Sequence, residues 1–202
     1  MKVAYLGPHG THSEEVCTHL YSKQEWEFVP LSTIDSCIRA VANKEVHECL
    51  VPIENSLEGS VNITMDNLAH EVNLFITREI AWPIRHHLLA PSSTAKITTV
   101  ISHPQALAQC RQYLSRHYPH AKLQAADSTA EAAQLAAASK EGYAAIANLE
   151  TARLYQLTVR ETGIQDNQHN CTRFVSLSRN PQTPDCHRPA KTSVVCNFLG
   201  NK

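Results

Sequence analysis

Val3-Ala4-Tyr5-Leu6-Gly7-Pro8-His9-Gly10-Thr11-His12-Ser13-Glu14 decides the fold class. The run at 3–6 is apolar without alternation, as in a strand buried on both faces. Gly7-Pro8 ends it. Thr11, followed three residues later by Glu14, fits a capping box at the head of a helix over 13–21. Strand, polar turn and capped helix then recur. A strand is expected at 26–29, then a helix at 32–43 with Ile34, Cys37, Ile38 and Val41 on one face. A third strand at 49–53 leads into a polar loop at 54–60 and a helix at 62–70. Downstream, a strand at 100–101 runs into Ser102-x-x-Gln105, a second box opening a helix that reaches Leu114. A strand at 123–126 runs into Ser128-x-x-Glu131, a third box heading an Ala-rich helix that ends near Lys140. Strands at 143–147 and 173–177 complete the body. This alternation predicts α/β architecture with largely parallel sheets. Segments 72–90 and 155–165 read as crossings between two lobes, and Asn180-Pro181-Gln182-Thr183-Pro184 reads as linker.

Composition narrows the function classes. The chain has 202 residues, a prior of one to two domains, and 18 Lys plus Arg against 19 Asp plus Glu. That balance argues against a phosphate-backbone binder, which needs a basic excess. A content of 43% hydrophobic and 18% charged residues is that of a globular chain, not a disordered one. No apolar run approaches the roughly 18 residues of a membrane helix. The apolar stretch at 3–6 is too short for a signal-peptide core, so a cytoplasmic protein is expected. Seven cysteines, odd in number, widely spaced and without C-x-x-C, read as reduced thiols. Neither His9-x-x-His12 nor His117-x-x-His120 has a Cys or carboxylate at metal-ligand spacing, so no metal is expected.

Three junctions, Leu6 to Thr11, Ile101-Ser102-His103 and Ala126-Asp127-Ser128, carry a strand into a capped helix. A helix start offers unpaired N–H groups and partial positive charge, so paired lobes with such turns would clamp a small dianion. The first turn lacks the Gly-Lys-Ser/Thr of a phosphate loop and the third glycine of a dinucleotide fingerprint. Glu54 is placed for acid–base work or for binding a hydroxyl, and Arg173 for pairing a substrate carboxylate. Thr172 offers a hydroxyl at the start of the last strand. Cys171 has no activating group and is not expected to act as a nucleophile.

Four motifs together resemble the prephenate dehydratase family. They are Gly7-Pro8-x-Gly10-Thr11-x-Ser13, Val51-Pro52-Ile53-Glu54-Asn55-Ser56-x-x-Gly59, Ser102-His103-Pro104-Gln105-Ala106-Leu107-x-Gln109-Cys110 and Asn170-x-Thr172-Arg173-Phe174, in the family's order. The resemblance implies conversion of prephenate to phenylpyruvate, water and carbon dioxide in phenylalanine biosynthesis. It implies a two-lobed type II periplasmic-binding-protein-like α/β fold with the site in the cleft, no cofactor, and a homodimer or higher homo-oligomer for full-length members. It puts the catalytic domain at 1–180, with lobe 1 near 1–77 and 160–180 and lobe 2 near 78–159, and a linker at 181–190. It ties catalysis to Thr172, with Glu54 and Asn55, and substrate binding to Thr11, Ser13, Ser102, Gln109, Arg173 and Asp127. Asp127 stands where the family often has Glu, and His12 where it usually has Phe. Lys191-Thr192-Ser193-Val194-Val195 resembles the first strand of the regulatory ACT domain, so the chain is expected to stop inside that domain and to be insensitive to phenylalanine. Thr172 is expected to hydrogen-bond the leaving hydroxyl, with a protonated Glu54 as the alternative proton source. Two other readings stay open: dehydration of the amino analogue arogenate, and a bilobal module that only binds a small anion.

Overall fold

The computed structural model describes residues 1–22, 24–91, 96–139 and 142–182. The expected alternation is present in β1 (Lys2–Leu6), α1 (His12–Leu20), β2 (Glu27–Leu31), α2 (Ile34–Ala42) and β3 (Glu48–Asn55). Val3, Ala4 and Tyr5 of β1 and Cys49, Leu50 and Val51 of β3 are fully buried, which is why both strands lack polar alternation. Cys37, Ile38 and Val41 of α2 pack on one face of this sheet, and Val16 and Cys17 of α1 on the other. β3 extends through Asn55 and turns back into the short β4 (Gly59–Ser60), so Glu54 and Asn55 are strand residues, not loop residues. The helix expected at 62–70 is α3 (Asn62–Asp66) continued by a π-helical turn, Asn67–Glu71.

β5 (Phe75–Pro83) completes the first sheet, and β6 (His87–Ala90) belongs to a second. The second lobe follows with β7 (Thr99–Ser102), α4 (Pro104–Gln109), α5 (Arg111–His117) and β8 (Lys122–Ala125). Then come α6 (Thr129–Ala138), β9 (Tyr143–Ala147), α7 (Leu149–Leu154) and β10 (Thr158–Glu161), before β11 (Cys171–Ser178) re-enters the first lobe. The strand orders are β2-β1-β3-β11-β5, with β4 beside β3, and β10-β6-β9-β7-β8. Both sheets are mixed rather than largely parallel. β1 runs parallel to β2 and β3, whereas β11 is antiparallel to both β3 and β5. In the second sheet β6 is antiparallel to β9 and β10. In each sheet the odd strand follows or precedes a crossing: a chain arriving from the other lobe enters from the opposite end. β5 stays in the first sheet to Pro83, so the crossings fall at 84–86 and 162–170.

Two helix starts differ from expectation. His103, not Ser102, caps α4, accepting from the Gln105 N–H, because Pro104 takes the first helical position and fixes the start one residue later. The single helix expected to reach Leu114 breaks at Cys110 (φ −113°, ψ 14°) into α4 and α5. The start of α5 is satisfied from the second crossing, where Asp166 accepts from the Gln112 and Tyr113 N–H groups at 3.0 and 3.2 Å. Thr11 and Ser128 cap α1 and α6 as expected, accepting from the Glu14 and Glu131 N–H groups. Both glutamates, however, reach one residue further back than a capping box requires. Glu14 accepts from Gly10 N–H at 2.6 Å and Glu131 from Asp127 N–H at 2.7 Å.

The lobes touch at Gly10. Its carbonyl accepts from Asn148 Nδ2 at 3.1 Å and Thr151 Oγ1 at 2.5 Å, both at the head of α7 in the second lobe. Gly10 has φ +87°, and a Cβ there would lie 3.2 Å from Thr151 Oγ1, so glycine answers both the backbone conformation and the close approach. The five cysteines among the described residues are free thiols. Cys186, Cys196, most of the linker and the Lys191 to Val195 stretch lie outside the described residues. Among those described, no helix is long and apolar enough to cross a membrane.

Candidate active site

A cavity of about 1100 Å³ opens between the lobes. The first lobe contributes the β1–α1 turn, the ends of β2, β3 and β11, and the β4 hairpin. The second lobe contributes the starts of α4 and α6, and the crossings contribute Ile84, His86 and Asn170. The wall is apolar at Leu6, Pro52, Val61, Ile84 and Phe174.

One hydrogen-bond chain fixes the orientation of the polar groups beside these residues. Asn55 Oδ1 accepts from the backbone N–H of Leu57 at 2.9 Å and of Glu58 at 3.2 Å. Because a backbone amide can only donate, this end of Asn55 is its oxygen. Asn55 Nδ2 therefore donates, to Thr172 Oγ1 at 2.8 Å and to Asn170 Oδ1 at 3.1 Å. Asn170 Nδ2 in turn donates to Gln109 Oε1 at 3.0 Å, and the same oxygen accepts from His86 Nε2 at 2.9 Å. Two consequences follow. Thr172 Oγ is held as an acceptor, so its own proton is left for the cavity it lines. His86 carries its proton on Nε2, and its buried Nδ1 is a bare lone pair with no partner. Burial, with His12 and His87 nearby, lowers the His86 pKa to about 4, so the ring is neutral near pH 7.

The sequence-named residues divide. Thr11, Ser13, Asn55, Gln109, Asp127 and Thr172 all line the cavity. Arg173 and Glu54 do not. Side chains alternate across a strand, so with Thr172 and Phe174 on the cavity face Arg173 points away. It pairs with Glu54, its register partner on β3, and with Glu79 on β5 at 3.2 Å. In this arrangement the Arg173 guanidinium, expected to meet a substrate carboxylate, and the Glu54 carboxyl, expected as a proton source, face each other rather than the cavity. Ser102 is fully buried and donates to Ile146 O at 2.7 Å, tying β7 to β9 beneath the cavity rather than lining it. Sequence reasoning assigned no role to His86, Asn148 or Thr151. Two histidines opening the apolar run Leu88-Leu89-Ala90 were the available signal for the first, and Asn148-x-x-Thr151 across the start of a short helix for the others. Among the described residues no group of three or more His, Cys, Asp or Glu is arranged to hold a metal.

The fold and cavity define a class, two-lobed α/β proteins with a cleft between the lobes. Within it, the family model for prephenate dehydratase matches residues 3–182. The chain is 39% identical over 189 residues to prephenate dehydratase of Lactococcus lactis, a match covering 92% of this chain and 66% of that protein. It is 38% identical to arogenate dehydratase 3 of Arabidopsis thaliana, covering 96% of this chain and 46% of that protein. The crystal structure of prephenate dehydratase from Arthrobacter aurescens in complex with L-Phe superposes with a TM-score of 0.83 at 31% identity, covering 92% of this chain and 62% of that one. The chain belongs to the prephenate dehydratase family, and it spans about half to two thirds of the length of these relatives.

Proposed function

We propose that this chain catalyses the decarboxylative dehydration of prephenate to phenylpyruvate, water and carbon dioxide. The observation that carries the reading is the donor-ready hydroxyl of Thr172 in the cleft, with Asn55 N–H on its oxygen. In the reaction the bond from the ring to its carboxylate breaks and carbon dioxide leaves. The electron pair enters the ring, which becomes aromatic, and the C–O bond at the opposite ring carbon breaks. The departing hydroxide takes up one proton and leaves as water. Aromatisation supplies the driving force, so the protein's task is to place the ring and ease hydroxide departure.

Thr172 donates to the leaving oxygen, and the Asn55 N–H stabilises charge growing on Oγ as it does so. An alcohol is a weak acid, so Thr172 acts as hydrogen-bond donor and relay. Such assistance contributes about 10² to 10⁴ in rate. The apolar wall at Pro52, Ile84 and Phe174 accommodates the ring. The starts of α1 and α6, both on the cavity wall, are placed to receive carboxylates. The test is incubation of the purified chain with prephenate, following phenylpyruvate. Turnover above the spontaneous rate is expected, and its absence refutes the reading.

A further inference from the structure

A substrate with two carboxylates enters a cleft whose lining, among the described residues, holds Glu58, Asp127 and Glu131 and no Lys or Arg. Any cation among these residues must be an imidazole, and His9, His12, His86 and His103 are the candidates. Three are excluded. His86 is buried, and that burial keeps it neutral near pH 7. His12 Nε2 is buried too, so it offers the cavity no donor. His103 Nδ1 accepts from the Gln105 N–H at 3.3 Å to cap α4, and a proton on that nitrogen would forfeit the cap. His9 differs on each count. Its side chain is 58% exposed. Its Nδ1 lies 2.9 Å from Glu14 Oε1 and 2.9 Å from Tyr5 Oη. Burial opposes ionisation of Glu14, but the Gly10 N–H, His9 and Tyr5 outweigh it and hold the carboxyl below its usual range. An ionised carboxylate only accepts, so His9 Nδ1 bears a proton. The Nδ1 edge is backed by the fully buried Tyr5 and by Glu14, so the exposed edge of the ring is that of Nε2. Glu14 is itself held, because its Oε2 accepts from Gly10 N–H at 2.6 Å. Ring, carboxylate and turn form one unit beside Thr11, the cap of α1.

We propose that His9, backed by Glu14, is the cation that binds the substrate's side-chain carboxylate, the one that persists in phenylpyruvate, and not the ring carboxylate that leaves. This rests on the dehydratase reading above and adds a substrate-binding residue to it. With Glu14 behind it and a ligand carboxylate in front, the ring carries a proton on each nitrogen and bridges the two anions. The choice between carboxylates follows from the reaction. The ring carboxylate gives up its charge as carbon dioxide forms, so a cation on it would stabilise the ground state more than the transition state and slow the step. The side-chain carboxylate keeps its charge throughout, so holding it positions the ring without opposing the chemistry.

The test measures the calorimetric Kd for phenylpyruvate, and kcat and KM for prephenate, in the wild-type chain, His9→Leu, His9→Gln and His9→Lys. Leucine removes the charge, glutamine keeps a donor for Glu14 without charge, and lysine restores a cation. A hydrogen bond to a charged group is worth about 10- to 100-fold, and the lower end applies to a ring more than half exposed. Phenylpyruvate Kd and prephenate KM should therefore each rise about tenfold in His9→Leu and His9→Gln, with kcat within about threefold of wild type. His9→Lys should return the phenylpyruvate Kd to within about threefold of wild type. An unchanged phenylpyruvate Kd in His9→Leu overturns the proposal. So does wild-type affinity in His9→Gln, which would mean that His9 only props Glu14. A kcat that falls as deeply as kcat/KM, with phenylpyruvate Kd unmoved, would assign His9 to the ring carboxylate and overturn it as well. A chain that shows the expected Kd changes but turns over no prephenate sinks the dehydratase reading and leaves the carboxylate site standing. A wild-type chain that binds no phenylpyruvate overturns the site.

Discussion

Thr172→Val removes the hydroxyl with little change of volume. If Thr172 donates to the leaving group, kcat for prephenate should fall by about 10² to 10⁴, or about 2.7 to 5.5 kcal/mol on the barrier. KM should move little, because the donation strengthens as charge develops on the departing oxygen. The stability cost works out separately. Asn55 Nδ2 keeps Asn170 Oδ1 and loses Thr172 Oγ1, leaving one N–H without its partner. A buried donor so stranded costs about 1–3 kcal/mol. Thr172 borders the cavity, so water can reach that N–H and the lower end applies. About 1 kcal/mol in a chain of this length lowers Tm by about 2–4 °C. The assay is phenylpyruvate formation by ultraviolet absorbance over a range of prephenate concentrations, with a thermal melt of the same sample. A kcat within about threefold of wild type refutes the reasoning, and Thr172→Ser should recover most of the lost rate. A melt lowered by much more than this would instead mean that the Asn55–Asn170–Gln109 chain collapses with the variant.

Three further outcomes are expected. Arg173→Ala should lower kcat/KM for prephenate by less than about tenfold, because the guanidinium meets Glu54 and Glu79 on the sheet face away from the cleft in half-exposed pairs worth about 0–1 kcal/mol; a loss as deep as that of Thr172→Val would restore Arg173 to the substrate. Gly10→Ala, at φ +87° and 3.2 Å from Thr151 Oγ1, should lower the urea midpoint by the equivalent of about 1–3 kcal/mol, and an unchanged midpoint would show the interlobe contact to be slack. The pH dependence of stability should carry the mark of His86. Burial first, then the neighbouring His12 and His87, lowers its folded pKa from 6.5 to about 4. Between those values the unfolded chain binds the proton and the folded chain does not, so stability falls as pH drops from about 6.5 to 4 and then levels, by about 3 kcal/mol in all. Urea titrations of His86→Gln should lack that part of the slope, and an identical slope would show that the ring is not held neutral.

The short-range patterns were readable without the fold. Apolar runs at 3–6 and 49–53 became strands whose centres, Val3 to Tyr5 and Cys49 to Val51, are fully buried because both faces of their sheet are covered, and Thr11 and Ser128 cap helices because a hydroxyl three residues ahead of an amide needs no distant partner. The motif resemblance likewise placed Thr11, Ser13, Asn55, Gln109, Asp127 and Thr172, all of which meet at one cavity. What adjoining residues do was not readable. Thr172 and Arg173 sit side by side in the chain, yet one faces the cleft and the other an ion pair. That choice is made by the register of β11 on β3, between residues more than a hundred positions apart. Ser102 looked like a cap until Pro104 moved the helix start past it. The tautomer of His86 depends on a relay through Gln109, Asn170 and Asn55 to two backbone amides, drawn from both lobes and both crossings. Helix starts and buried strands arise from interactions spanning a few residues, which a sequence displays directly. The facing of a side chain and the proton position on a ring arise from pairings closed only when the chain has crossed between lobes twice, and only the tertiary structure decides them.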